Sequence, residues 1–197
     1  MKLAFLASNN GSSMQAIVRA TLSGELAATP RLAISNRRNA PALEFARRHG
    51  IRDLWIPTMP DPDAADARLA AALRDSDADL VILSGYLRKL GPLTLRAFAG
   101  RVLNIHPALL PKYGGQGMYG RRVHEAVIAA GDKESGATVH LVDDQYDHGP
   151  VVAQSRVSVL PHDTAEDLER RVTAIEPALF LKTLQRLTSG ELTLSAA

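Results

Sequence analysis

The sequence predicts an α/β fold with a doubly wound, Rossmann-like and mostly parallel sheet of about seven strands, with helices on both faces. Over the first hundred residues, short apolar runs alternate with amphipathic stretches, which is typical of consecutive strand–helix units. Hydrophobic residues make up 46% and charged residues 22% of the 197 residues, as in globular domains. No internal repeat, low-complexity segment or linker divides the chain, so we expect a single domain over 1–197.

Each element of the first half has a local signal. The apolar run 3–7 predicts the first strand, and a Gly/Ser turn then opens a helix whose apolar positions recur at helical spacing. Gly50 ends the second helix, and Pro62 stands just inside the start of the third. The remaining predictions are strands at 31–35, 54–56, 79–84 and 101–105, and helices at 42–49, from 61 onward and at 92–98.

The pattern changes after the fifth strand. Residues 107–120 form a long Pro- and Gly-rich loop, and long loops inside compact domains are usually functional or mobile. We interpret residues 114–120 as a mobile flap near the site. The later predictions are a helix at 121–130, two strands at 137–142 and 151–159 that can pair antiparallel through the polar connection 143–150, and a last helix from Thr164 to Leu187 with a capping signal.

Composition and charge exclude several function classes. With 23 Lys+Arg against 21 Asp+Glu, the net charge of +2 predicts no surface that follows a nucleic acid backbone. The absence of Cys excludes disulfides, thiolate metal sites and Cys nucleophiles, and the six His show no metal-ligand spacing, so we expect no metal. No apolar run approaches the roughly 18 residues of a membrane span. We expect a cytoplasmic monomer or homodimer that acts on small molecules.

The turn between the first strand and the first helix is a candidate anion site. It consists of Asn10, Gly11, Ser12 and Ser13. The N–H groups at a helix N-terminus carry the positive end of the helix dipole, and Gly11 lets a ligand approach the backbone closely. A phosphate fits such a turn, although an ordinary helix start has the same residues. The turn matches neither G-x-G-x-x-G nor the P-loop pattern.

Asn104 and His106 are candidate chemical groups at the end of the fifth strand. Residues at i and i+2 share one face of a strand, and open α/β sheets bind ligands at the carboxyl ends of their strands. The amide of Asn104 can donate to a developing oxyanion, and His106 can exchange a proton near neutral pH. A packed His beside a capping Asn is the structural alternative. An Asp from 143–150 would orient His106 and favour its charged form, but the pattern does not decide which one.

The chain resembles the folate-dependent formyltransferase family over residues 1–194. The run 102–111 (VLNIHPALLP) is similar to the family signature, and 147–150 (DHGP) resembles the element that supplies the catalytic Asp. Within the family, the opening turn, the segment 84–88 and the short chain resemble the members that formylate glycinamide ribonucleotide. The resemblance therefore implies transfer of a formyl group from 10-formyltetrahydrofolate, as cosubstrate, to the amine of glycinamide ribonucleotide in purine synthesis.

The resemblance also implies a role for each matching residue. The catalytic residues are Asn104, His106 and Asp147. The substrate-binding residues are Asn10, Gly11, Ser12 and Ser13 at the phosphate, and Glu176 at the rest of the ribonucleotide. The folate-binding residues are Leu87, Arg88, Lys89, Leu90, Asn104 and Asp144. Residues 1–100 would then be a phosphate-binding half, and residues 101–197 a catalytic half that closes over the folate.

Some positions depart from the family pattern, and other functions stay open. Ser13 replaces a frequent Asn, Lys89 a frequent apolar residue, and His148 a common Gly. We expect His140 to be half-buried and His124 to lie at the surface. A formyltransferase acting on a sugar amine, or a non-catalytic folate or nucleotide sensor, is an alternative. A tRNA formyltransferase or a formyltetrahydrofolate hydrolase would carry a further domain.

Overall fold

The computed structural model describes residues 1–194, and residues 195–197 of the predicted domain lie outside the described part. The strands are β1 Lys2–Leu6, β2 Thr29–Ser35, β3 Arg52–Trp55, β4 Leu80–Leu83, β5 Val102–His106, β6 Glu134–Leu141 and β7 Val151–Ser158. The helices are α1 Ser12–Leu22, α2 Pro41–Arg48, α3 Pro62–Asp75, α4 Pro92–Ala97, α5 Arg121–Ala130 and α6 Ala165–Thr188.

The strands within residues 1–194 form one sheet in the order β3-β2-β1-β4-β5-β6-β7. The first five are parallel, whereas β6 runs antiparallel to β5, and β7 antiparallel to β6. The predicted fold class is confirmed. Because β1 lies between β2 and β4, the connections that follow β1 and β4 leave the sheet in different directions and open a crevice at their carboxyl ends.

The sheet has an apolar core on each face. Phe5 of β1 packs in one core with Phe180 of α6, and Leu6 packs in the other with Leu73 of α3. All four side chains are fully buried. Alternate residues of β1 thus serve opposite faces, which explains why its sequence is continuously apolar rather than alternating.

Helix ends follow the signals in the sequence. The Asp61 side chain accepts a hydrogen bond from the N–H of Ala64 at 2.9 Å, at the start of α3. Thr164 and Asp167 form a reciprocal capping box at α6, as the sequence predicts. None of the helices within residues 1–194 combines the length and the apolar character that a membrane span requires.

The largest boundary error concerns β6, which begins at Glu134 rather than at residue 137. The small polar start of this strand hides it from a hydrophobic pattern. Gly136 is required there by space: a Cβ at this position would lie 2.0 Å from the carbonyl oxygen of Ser155 on β7. Trp55, at the end of β3, is 46% exposed.

Candidate active site

The turn that opens α1 has the backbone of an open helix N-terminus. Gly11 is the N-cap residue with φ of +64° and has no side chain to cap the helix, although the hydroxyl of Ser84 accepts from the N–H of Met14 at 3.0 Å. A Cβ on Gly11 would lie 3.3 Å from the Cβ atoms of both Ala7 and Ala42, so the position combines a left-handed backbone with tight packing. Asn10 and Ser12 are exposed, whereas Ser13 is buried. The turn therefore keeps the form of an anion site, with Ser12 as its exposed hydroxyl.

Ser8 connects this turn to the residues that follow β4. Its hydroxyl donates to Oδ1 of Asn36 at 2.6 Å and accepts from the N–H of Leu87 at 2.8 Å. Arg37 hydrogen-bonds to Oδ1 of Asn9 on the other side of the turn. The turn 10–13 and the segment 87–90 are thus two walls of one crevice.

Asn104 and His106 lie side by side on one face of the sheet, as their spacing predicts. Their neighbours on β6 are His140 and Thr138, which share that face. Nδ1 of His140 is 2.8 Å from the carbonyl oxygen of Leu141, so this nitrogen carries the proton that it donates. Nε2 of His140 lies 3.1 Å from Nδ2 of Asn104 and accepts from it when His140 is neutral. His140 then fixes which end of the Asn104 amide is NH₂, and the second amide hydrogen stays available.

Asp147 completes the site from the connection between β6 and β7. Its Oδ2 lies 3.4 Å from Nδ1 of His106, and its Oδ1 lies 3.6 Å from Nε2 of His140. The N–H of Gly115 donates to Oδ2 at 3.1 Å. Asp147 has φ of +55°, a left-handed conformation that Asp adopts more readily than most residues. This conformation folds the connection back over the strand face that carries His106.

The environment of Asp147 keeps its carboxylate ionised. Burial works to raise its pKa, but the neighbouring imidazoles of His106 and His140 and the N–H of Gly115 together hold the pKa far below its usual value. This negative charge lies beside Nδ1 of His106 and is an acceptor for a proton on that nitrogen.

His106 is held through both ring nitrogens. Nε2–H donates to the carbonyl oxygen of Tyr113 at 2.7 Å, and Nδ1 faces Asp147. Only 3% of the residue is exposed. Because 3.4 Å is beyond the usual hydrogen-bond range, Nδ1–H interacts only weakly with Asp147. It can therefore donate to an oxygen of a bound substrate.

A hydrogen bond between His148 and Asp143 closes the connection 143–150. Nδ1 of His148 lies 2.8 Å from Oδ2 of Asp143, and the N–H of Gln145 donates to Oδ1 of the same carboxylate at 2.8 Å. Burial works to raise the pKa of Asp143, but these contacts lower it overall. His148 thus ties together the loop that carries Asp147. Asp144 is exposed on the same loop.

A pocket of about 330 Å³ lies beside the segment predicted to bind the folate. Its lining combines apolar and polar side chains: Ile56, Thr58, Met59, Pro62, Asp63, Ala65, Asp66, Leu69, Tyr86, Leu87, Arg88, Lys89, Gly91 and Tyr146. Leu87 is 51% exposed at this pocket, whereas Leu90 is buried. Nζ of Lys89 is 5.8 Å from the ring centroid of Tyr146, so the segment contacts the 143–150 loop.

Two further titratable groups interact with His106. Burial of Glu176 on α6 raises its pKa to about 7, although the charge of His106 opposes the shift. His124 on α5 is 1% exposed, and its Nδ1 has no hydrogen-bond partner among the described residues. Burial lowers the pKa of His124, and repulsion from His106 adds to this.

The expectation for His124 was therefore wrong: it lies inside the protein. A signal existed in its spacing, because it stands next to Val123 and three positions before Val127, on the apolar face of α5. His140, expected to be half-buried, is fully buried and contacts both Asn104 and Asp147. Within residues 1–194, no group of three His, Asp or Glu side chains is arranged to hold a metal ion.

A doubly wound sheet that brings an amide, an imidazole and a buried carboxylate together defines an α/β enzyme of the group-transfer class. The family model described as Formyl transferase matches residues 1–184, and the chain belongs to this family.

Individual relatives agree over most of the chain. It is 36% identical to the phosphoribosylglycinamide formyltransferase of Escherichia coli K12, over 98% of this chain and 89% of the relative. It is 38% identical to the chloroplastic phosphoribosylglycinamide formyltransferase of Vigna unguiculata, over 94% of this chain. The chain spans about 60% of the length of the plant relatives that it matches.

A solved structure gives the same result. The glycinamide ribonucleotide transformylase 1 of Symbiobacterium toebii superposes with a TM-score of 0.90 at 36% identity, covering 99% of this chain and 91% of that chain.

Proposed function

We propose that the chain transfers the formyl group of 10-formyltetrahydrofolate to the amine of glycinamide ribonucleotide, a step of de novo purine synthesis. The observation that carries the proposal is the contact of His106 with ionised Asp147, beside the oriented amide of Asn104. The names of the relatives at 36–38% identity support the acceptor.

The oxyanion is the first demand of this reaction. The amine nitrogen bonds to the formyl carbon, and the carbonyl electron pair moves onto oxygen. The free amide hydrogen of Asn104 and Nδ1–H of His106 are the donors for that oxygen, and Asp147 balances the imidazolium charge. Such preorganised donors act strongly in a water-excluded site.

Proton movement is the second demand. The attached amine must lose a proton, and N10 of the folate must gain one when its bond to the formyl carbon breaks. His106 can serve as the acid, because its Nδ1 faces the site and ionised Asp147 balances the charge of an imidazolium. Glu176, with a pKa of about 7, can accept a proton at neutral pH, so it is suited to contact the amine end of the ribonucleotide.

The two substrates occupy the two walls of the crevice. The phosphate binds at Asn10, Gly11, Ser12 and Ser13, where the N-cap residue of α1 has no side chain over the first N–H groups. The reduced folate binds in the 330 Å³ pocket beside 87–90, with Asp144 on the closing loop. Both substrates are small molecules, no metal takes part, and a cytoplasmic location and a monomeric or homodimeric state complete the proposal.

One assay tests the proposal. The protein is mixed with glycinamide ribonucleotide and 10-formyltetrahydrofolate without metal, and the folate absorbance and the product mass are followed. We expect a formylated ribonucleotide at enzyme concentrations far below the substrate concentration. Formate without formylated product would indicate a hydrolase, and turnover only with sugar amines would indicate another acceptor. Folate binding without any turnover would indicate a sensor.

The His106→Ala variant makes the assay specific. We expect turnover to fall about 10²–10⁴-fold, the usual contribution of a positioned acid–base group, with folate affinity largely kept. His49→Ala is the matched control, because His49 lies at the exposed end of α2, outside the crevice. Unchanged turnover in His106→Ala would contradict the proposed chemistry.

A further inference from the structure

A buried carboxylate outside the catalytic trio fastens the start of α4. Asp66 on α3 is only 7% exposed. Its Oδ2 accepts from the N–H of Leu93 at 2.8 Å, and its Oδ1 accepts from the N–H and the hydroxyl of Thr94 at 3.1 and 2.6 Å. We call this set of contacts, from Asp66 to Leu93 and Thr94, the clamp.

Gly91 fits directly against the clamp. A Cβ on Gly91 would lie 2.3 Å from both Cγ and Oδ2 of Asp66. Its φ is −83°, which any residue can adopt, so space rather than backbone conformation requires glycine here. The backbone at Gly91 thus packs directly against the carboxylate of Asp66 before α4 begins.

The clamp lies at one end of the segment that lines the pocket. The segment 87–90 has no regular secondary structure, and its residues 87–89 are exposed. Its first N–H, that of Leu87, is fixed by Ser8 at 2.8 Å, and its far end continues into the clamp. Asp66 and Gly91 themselves line the same pocket. Two hydrogen-bonded anchors therefore determine the shape of the segment.

We propose that Asp66 is a positioning residue for the folate: through the clamp it holds the backbone of 87–90 in the shape that receives the reduced pterin. The inference rests on the proposed function, and it concerns affinity for one substrate rather than the chemical step. Asp66 does not touch the reacting atoms; it acts through the turn at Gly91.

Asp66→Asn tests the proposal. The amide keeps one acceptor oxygen, but its NH₂ group must face an N–H or O–H donor that the carboxylate satisfied. The segment should loosen. We expect KM for 10-formyltetrahydrofolate to rise at least about tenfold, as for the loss of a hydrogen bond to a charged group. The value of kcat should change by less than about threefold, and KM for the ribonucleotide should stay unchanged.

Two matched variants sharpen the result. Asp75→Asn makes the same change of charge at an exposed position of α3 and should leave all constants unchanged. Thr94→Val removes only the hydroxyl donor and keeps the backbone N–H, so its rise in the folate KM should be intermediate. It also serves if Asp66→Asn does not fold.

A direct binding measurement separates this inference from the proposed function. Tetrahydrofolate affinity is measured by calorimetry on the same proteins, together with Tm. If the wild type binds tetrahydrofolate without transferring formyl groups, a weaker affinity in Asp66→Asn still supports the inference. A lower Tm with unchanged tetrahydrofolate affinity, or an equal rise in KM for both substrates, would overturn it. Absence of any folate binding by the wild type would overturn both.

Discussion

The carboxylate of Asp147 lies 3.4 Å from Nδ1 of His106, although the two residues are brought together from a strand end and a distant connection. The opposite nitrogen of His106 donates to the carbonyl oxygen of Tyr113 at 2.7 Å. This pairing fixes the plane of the imidazole while leaving Nδ1–H weakly bonded. The contact between His106 and Asp147 is the basis of the first prediction.

Asp147→Asn should abolish most of the activity without removing the fold. The amide carries no charge, so it cannot balance the imidazolium that the proposed reaction requires of His106. We expect kcat to fall about 10²–10⁴-fold while KM for the folate changes little. Steady-state kinetics for both substrates checks this, with circular dichroism as the control for folding. Asp75→Asn, at an exposed position of α3, should leave kcat unchanged; equal losses in the two variants would contradict a special role for Asp147.

Glu176 should make the protein less stable as the pH rises. The pKa of Glu176 is about 7 in the folded protein, whereas the ordinary value of an exposed Glu, as in the unfolded chain, is 4.5. The folded state therefore holds the proton more tightly. Stability is therefore lost as the pH rises from about 4.5 to 7, on the order of 3 kcal/mol in total. Glu176→Gln should remove this slope and be more stable than the wild type at pH 8 but not at pH 4. Unfolding in urea at both values measures the difference; parallel curves would contradict it.

His124 should make the protein less stable as the pH falls, the opposite of the effect of Glu176. Burial lowers its pKa, so the folded state resists protonation, and stability is lost as the pH falls below about 6.5. His124→Phe removes both the titration and the unpartnered Nδ1. We expect a gain of about 1 kcal/mol that is larger at pH 5 than at pH 8. Melting curves at both values test this, and a uniform loss of stability would show that His124 is needed for packing.

Gly11→Ala should impair the phosphate turn in particular. Alanine at φ of +64° costs about 1–2 kcal/mol, and its Cβ would crowd Ala7 and Ala42. We expect a lower Tm and a raised KM for the ribonucleotide, with an unchanged KM for the folate. Gly24→Ala has a similar backbone strain at φ of +80° in open space, so it should lower Tm without affecting either KM.

Much of the fold could be predicted from the sequence because buried strands and amphipathic helices leave strong periodic signals. The run 3–7 is apolar on both faces of β1, and the capping pair at Thr164 is local. The start of β6 was missed because its close approach to β7 requires small residues, which no hydrophobic pattern reveals.

The site was only partly predictable. The spacing of Asn104 and His106 placed them on one face, since that follows from strand geometry alone. The choice of Asp147 came from the family resemblance, because the left-handed turn that folds the connection back is not a periodic feature. The contact of His140 with Asn104 depends on the register between β5 and β6, which the sequence does not specify.

The pairing of Phe5 with Phe180 in one core has a consequence for biosynthesis. α6 follows α1 at the other end of residues 1–194, and its Leu184 lies in the same core as Met14 of α1. A ribosome-bound chain therefore leaves part of this core open until α6 has left the exit tunnel. The core on this face can close only after β1 to β7 have been made.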